Sequence, residues 1–136
     1  MKTIIIIDDD EEDLEAITQA IYAVDPATHC LCYTNPSVAI SQLNSHSFPH
    51  VDCILVDMYN HVVNGIECLK SIKKIPKMRE VDLVMISSSF QDDEGAALFS
   101  YGAKAVCAKP HSWEGYLAMS NAILTSQTIH GRVMAF

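Results

Sequence analysis

The chain predicts an α/β fold, a doubly wound five-stranded parallel sheet flanked by five helices. Two observations and one topological rule predict it. Short apolar runs of strand length alternate with stretches of helical spacing, five of each. Two of the runs, 4–7 and 53–56, are unbroken, as strands covered on both faces of a parallel sheet are. Right-handed crossovers then distribute the intervening helices over both sides of the sheet.

The runs are 3–7, 30–33, 51–56, 83–86 and 104–107, each rich in Ile, Val, Leu or Cys. After the first, Leu14, Ile17, Ile21 and Val24 recur at helical spacing, with Glu12, Asp13 and Glu15 enriching the first turn. After the second, Asn35-Pro36 reads as a cap followed by proline at the first helical position, leading to Val38 and Leu43. Asn64-Gly65 opens a third helix whose Ile66, Leu69 and Ile72 share a face, ended by Pro76. A weaker helix spans 92–101, softened by Gly95 and closed by Gly102. Ser112 caps a last helix with Trp113, Tyr116, Leu117, Ser120 and Leu124 on one side. The domain is expected over 1–129, with 130–136 a short tail whose Met134 and Phe136 either pack back or fray.

At 136 residues, 49% hydrophobic and 19% charged, this is one globular domain able to bury a core. The net charge of −8 argues against nucleic acid or an anionic membrane as partner. No apolar run is long enough to span a bilayer and the N-terminus lacks a signal-peptide layout. The five cysteines are odd in number and lack zinc-ligand spacing, which suits buried reduced thiols of a cytoplasmic protein; Cys30 and Cys32 fall on one face of their strand. The histidines are dispersed, with no pair at metal-binding helical spacing. No Gly-rich phosphate loop supports an NTPase.

In open α/β sheets ligands bind beyond the carboxyl ends of the strands. The residues that follow the runs are therefore the informative ones. The stretch IIIIDDDEED carries the first run into Asp8 and Asp9; the third ends at Asp57, the fourth at Ser87, and the fifth leads to Lys109-Pro110. Carboxylates delivered to one edge repel unless a cation offsets them. A hard divalent ion with oxygen ligands, Mg²⁺ above all, suits the set. Lys109 would balance charge and Ser87 would donate to a phosphoryl oxygen, the equipment of phosphoryl transfer to a carboxylate nucleophile. Asp10, Glu11, Glu12 and Asp13 read as a solvated helix start.

This combination resembles the receiver domain of two-component response regulators, a CheY-like, flavodoxin-like fold. The resemblance runs through IIIIDDD, ILVDMYNHVVNG, MISSS and AKP, essentially the whole chain. It implies that Asp57 is the phosphoacceptor. It implies that Asp8 and Asp9 help bind Mg²⁺ with Asp57, and that the Tyr59 backbone carbonyl is a further ligand. Ser87 and Lys109 would engage the phosphoryl group, and the Lys109–Pro110 bond would be cis. The partners implied are a sensor histidine kinase or histidine phosphotransfer protein, a downstream target, and a second copy through the face of the fourth helix, fifth strand and fifth helix. The expected role is a stand-alone phosphoacceptor switch rather than an enzyme.

The chain also departs from the family. Asn60-His61 stands where Met-Pro is usual, Val106 replaces a common Tyr or Phe, and His111 replaces a common Phe. Complete chemistry with an altered output surface is the expectation; a receiver-like interaction module that does not switch is the alternative. A small-molecule phosphatase or phosphotransferase would want a second acid where Tyr59 stands, and a flavin module would want a phosphate loop after the first strand.

Overall fold

Ile4, Ile5, Ile6 and Ile7 send alternate side chains to opposite faces of strand β1 (Thr3–Ile7), and both faces are covered. In the computed structural model, which describes residues 2–45, 50–58, 64–88, 94–125 and 133–136, Ile4 and Ile6 meet α1 (Glu11–Val24) and α5 (Trp113–Leu124). They pack there with Leu14, Ile17, Ile21, Met119 and Ile123. Ile5 and Ile7 face the other layer, made by α2 (Pro36–Leu43), α3 (Gly65–Lys73) and α4 (Glu94–Ser100), through Leu43, Leu69, Ile72 and Leu98. Full burial of each isoleucine contributes about 1.5–3 kcal/mol, so an unbroken apolar strand at the sheet centre anchors both layers.

The remaining strands are β2 (His29–Tyr33), β3 (Cys53–Asp57), β4 (Asp82–Ser87), β5 (Ala105–Ala108) and a two-residue β6 (Val133–Met134). All pair in parallel, in the order β2-β1-β3-β4-β5-β6. The five strands and five helices expected from the sequence form, and the tail adds β6 beside β5, with Val106 opposite Val133 and Cys107 opposite Met134. Met134 and Phe136 pack against the α1/α5 side of the core, so the packed-back alternative holds for these residues.

The caps are local. Asn35 accepts from the Ser37 N–H, Asn64 from Glu67 and Ser112 from Gly115, each satisfying an orphan donor of the first turn. Gly102, at φ +110, ends α4: its N–H donates to the Phe99 carbonyl and the Ala103 N–H to Leu98, both at 3.1 Å.

Three expectations need correction. The Trp113, Tyr116, Leu117, Ser120 and Leu124 stripe holds in part: Ser120 and Leu124 are buried and Tyr116 packs partly against the core, but Trp113 is exposed and the buried face is shifted to include Gly115, Met119, Ala122 and Ile123. The α1 face supplies the apolar surface that selects them. Buried thiols describe Cys53, Cys68 and Cys107, whereas Cys32 is exposed and Cys30 half-buried, because β2 is an edge strand. The Lys109–Pro110 bond is trans, as no cis peptide occurs among the described residues. Trans is the lower-energy isomer by about 0.5–1 kcal/mol.

Candidate functional site

Strand order reverses between β1 and β3: the chain steps from β1 to β2 on one side, then to β3 on the other. The crevice beyond their carboxyl ends is where this topology leaves room for a ligand. Asp8 follows β1 directly, its N–H donating to the Tyr33 carbonyl at 3.0 Å and so prolonging the ladder by one residue. Its Oδ1 accepts the Asp10 N–H at 2.9 Å, an Asx-turn. Asp10 in turn accepts the Glu12 N–H at 2.9 Å as N-cap of α1. The acidic run is therefore partly a device for turning a strand into a helix within three residues.

Asp57 is the last residue of β3 and is 8% exposed. The backbone past it is clamped twice: the Met58 N–H donates to the Ile86 carbonyl at 2.8 Å, and the Gly65 N–H donates to the Met58 carbonyl at 2.8 Å. Gly65 has no room for a side chain, since a Cβ there would lie 2.6 Å from Met58 Cα and 2.7 Å from Met58 O. The start of α3 thus lies directly against the residue after Asp57. Ser87 ends β4, fully buried, and its carbonyl accepts the Lys109 N–H at 2.7 Å, which brings Lys109 beside the other strand ends.

The structure brings Asp8, Asp9 and Asp57 together, with one carboxylate oxygen of each within 4.8 Å of the others. Lys109 Nζ lies 3.1 Å from Asp8 Oδ2 and 3.8 Å from Asp57 Oδ1. Burial pushes the Asp8 carboxyl above the usual range, opposed by the Asp10 N–H and by the Lys109 charge. Burial alone would lower the Lys109 pKa, but the hydrogen bond to Asp13 and the charges of Asp8 and Asp57 outweigh it, and the ammonium is held above its ordinary range. An all-carboxylate set, buried at Asp8 and Asp57 and half-buried at Asp9, facing one ammonium fits a hard divalent cation, which takes oxygen ligands and relieves the repulsion.

Sequence reasoning missed Asp13. It is no solvated helix start: its Oδ2 lies 2.6 Å from Lys109 Nζ, the shortest of the three carboxylate contacts of that ammonium. The spacing carried part of the signal: Asp13 sits four residues before Ile17 and seven before Ala20, both buried on the core side of α1, which gives its helix face but not its partner. Tyr59, Asn60, His61 and Ser89 lie outside the described residues. Val106 is fully buried in the core under α4, and His111 is exposed. A cavity of about 360 Å³, lined in part by His50, Asp52, Lys77 and Glu80, lies at the opposite, amino-terminal edge of the sheet and shares no residue with this cluster.

Residues 4–119 match the family model described as response regulator receiver domain. A curated relative, stress response regulator protein 1 of Meyerozyma guilliermondii, is 23% identical over 80% of this chain and 49% of its own length, so the chain spans about half of that relative. Among solved structures, the Mn(2+)-bound form of response regulator Rcp1 aligns with a TM-score of 0.80 at 17% identity, over 94% of this chain and 95% of that one. The receiver domain of a DNA-binding response regulator (merR) from Colwellia psychrerythraea aligns at 0.79 and 21% identity, over 93% and 98%. The phosphorylated cyanobacterial phytochrome response regulator RcpA aligns at 0.81 and 18%, over 92% and 95%.

Proposed function

Because this chain belongs to the response regulator receiver domain family, we propose that it is a phosphoacceptor switch of two-component signalling that takes a phosphoryl group on Asp57. The donor is a phosphohistidine on a sensor histidine kinase or a histidine phosphotransfer protein, and the reaction requires Mg²⁺. The observation that carries the reading is the meeting of Asp8, Asp9 and Asp57 with Lys109 at the switch point of the sheet.

An Asp57 oxygen attacks phosphorus, a P–O bond forms, and the P–N bond breaks with its electron pair leaving on the donor imidazole. Asp8, Asp9, Asp57 and the Tyr59 carbonyl are the residues that would hold the ion. Mg²⁺, when bound, supplies charge neutralisation at the equatorial oxygens. Lys109 offsets the added negative charge and the Ser87 hydroxyl donates to a phosphoryl oxygen. Gly65 and the Met58 clamp keep Asp57 from drifting away from its partners.

The new dianion draws Ser87 and Lys109 together and biases the face of α4, β5 and α5. The signal then passes to a downstream protein or along a phosphorelay, or drives homodimerisation through that face, where a second copy would meet β6 along the β5 edge. The domain spans 1–129 with 130–136 as its tail, and the setting is cytoplasmic. No helix among the described residues is long and apolar enough to cross a membrane.

One observation favours a second reading, a receiver-like module that binds constitutively. Val106 is aliphatic and fully buried, so the aromatic ring common at that position in the family is absent. Intact-protein mass after incubation with acetyl phosphate and Mg²⁺, on wild type and Asp57→Asn, separates the two. One added phosphoryl group that needs both Mg²⁺ and Asp57 is expected. No adduct with acetyl phosphate, beryllofluoride or a panel of kinases supports the constitutive module.

A further inference from the structure

We propose that Asp13 is a positioning residue that holds the Lys109 ammonium away from Asp57 until the site is charged, so that phosphorylation must exchange one ion pair for another. The inference rests on the reading of Asp57 as phosphoacceptor and adds the residue that opposes it.

Lys109 Nζ has two carboxylates at hydrogen-bonding distance, Asp13 at 2.6 Å and Asp8 at 3.1 Å, while Asp57 stands off at 3.8 Å. The amine is turned toward α1, not toward the acceptor. The pair is sheltered, with side-chain exposures of 13% for Lys109 and 25% for Asp13, so water competes for it only weakly. Asp13 is also firmly placed. It lies in the first turn of α1, whose N-cap Asp10 is closed and whose next residue, Leu14, is buried.

A cation held by Asp8, Asp9 and Asp57 would draw on those three carboxylates, whereas Asp13 stands outside that set and keeps its 2.6 Å contact with Lys109. An arriving phosphoryl group then has to win the ammonium from Asp13 and to approach against its charge. On hydrolysis the same carboxylate recaptures the lysine. Asp13 therefore lowers the affinity of the site for a phosphoryl group and shortens the life of the state in which Lys109 contacts it.

The test is beryllofluoride binding at saturating Mg²⁺, followed by ¹⁹F NMR, on wild type, Asp13→Asn, Asp13→Glu and Asp57→Asn. Asp13→Asn is expected to bind roughly twofold to fivefold tighter, the worth of one partly sheltered ion pair. Asp13→Glu returns the affinity toward wild type and Asp57→Asn abolishes binding. A second measurement on the wild type needs no variant to fold: the Lys109 side-chain ¹⁵Nζ resonance should be resolved in the free protein and shift on adding beryllofluoride. Tighter binding by Asp13→Asn with rescue by Asp13→Glu supports the latch. Equal or weaker binding by Asp13→Asn, or an Lys109 signal that does not respond, overturns it while leaving Asp57 as acceptor. A wild type that takes up neither beryllofluoride nor phosphoryl overturns both.

Discussion

Replacing Gly65 by alanine should damage both the fold and the site through a single methyl group. The Cβ would sit 2.6 Å from Met58 Cα, 2.7 Å from Met58 O and 2.9 Å from Met85 Cε. Met85 Cε can swing aside, but the Met58 atoms are backbone, fixed by hydrogen bonds to Ile86 and Gly65 itself. Ordinary contact needs ~3.4 Å or more between such atoms, so α3 must retreat by something near 1 Å. Overpacking of this kind costs about 1–3 kcal/mol, and losing the Gly65–Met58 hydrogen bond adds about 1 kcal/mol. The helical preference for alanine over glycine returns about 1 kcal/mol at most. The net expectation is a destabilisation of about 1–3 kcal/mol, read as a lower urea midpoint at unchanged m-value. Acetyl phosphate labelling of the folded variant should also slow, because Met58 is the neighbour of Asp57. A Gly65→Ala protein within about 0.5 kcal/mol of wild type, the usual spread of harmless surface changes, would refute the positioning role of this contact.

Two further outcomes follow from the charges and thiols. Burial raises the Asp8 pKa in the folded state, so the native protein holds that proton more tightly than the unfolded chain. Stability from this group therefore falls as pH rises from the unfolded to the folded pKa. In EDTA at neutral pH, Asp8→Asn should melt above wild type, and the two should converge in acid; a less stable variant at neutral pH would contradict this. Mg²⁺ should reverse the order, stabilising wild type by about 2.7 kcal/mol at one hundred times its dissociation constant and the variant far less. Iodoacetamide on the native protein at mildly alkaline pH should modify exposed Cys32 first, as peptide mass mapping will read. Cys53, Cys68 and Cys107, whose burial pushes their pKa up to about 12, should stay unmodified, and equal labelling of all five would count against the packing described.

Much of the fold was legible because its determinants are local. An unbroken apolar run demands cover on two faces, and Asn35, Asn64 and Ser112 cap helices with atoms two or three residues away. The α5 stripe was misread at Trp113, which is large and apolar by type, whereas burial is decided by what α1 presents opposite. Likewise Cys30 and Cys32 look like a core strand until the order β2-β1-β3 puts them at an edge. The tail's two alternatives could be resolved only by the free edge of β5, which lies far from it in sequence.

By itself the sequence determined the alternation of strands and helices, and with it the delivery of Asp8, Asp9, Asp57, Ser87 and Lys109 to one edge of a parallel sheet. Strand ends are local properties, and topology carries parallel ends to the same side. Only the tertiary structure decided which acid Lys109 holds. Asp13 and Lys109 are 96 residues apart, and their contact depends on how α1 seats against the strand ends, a packing outcome that no local pattern encodes.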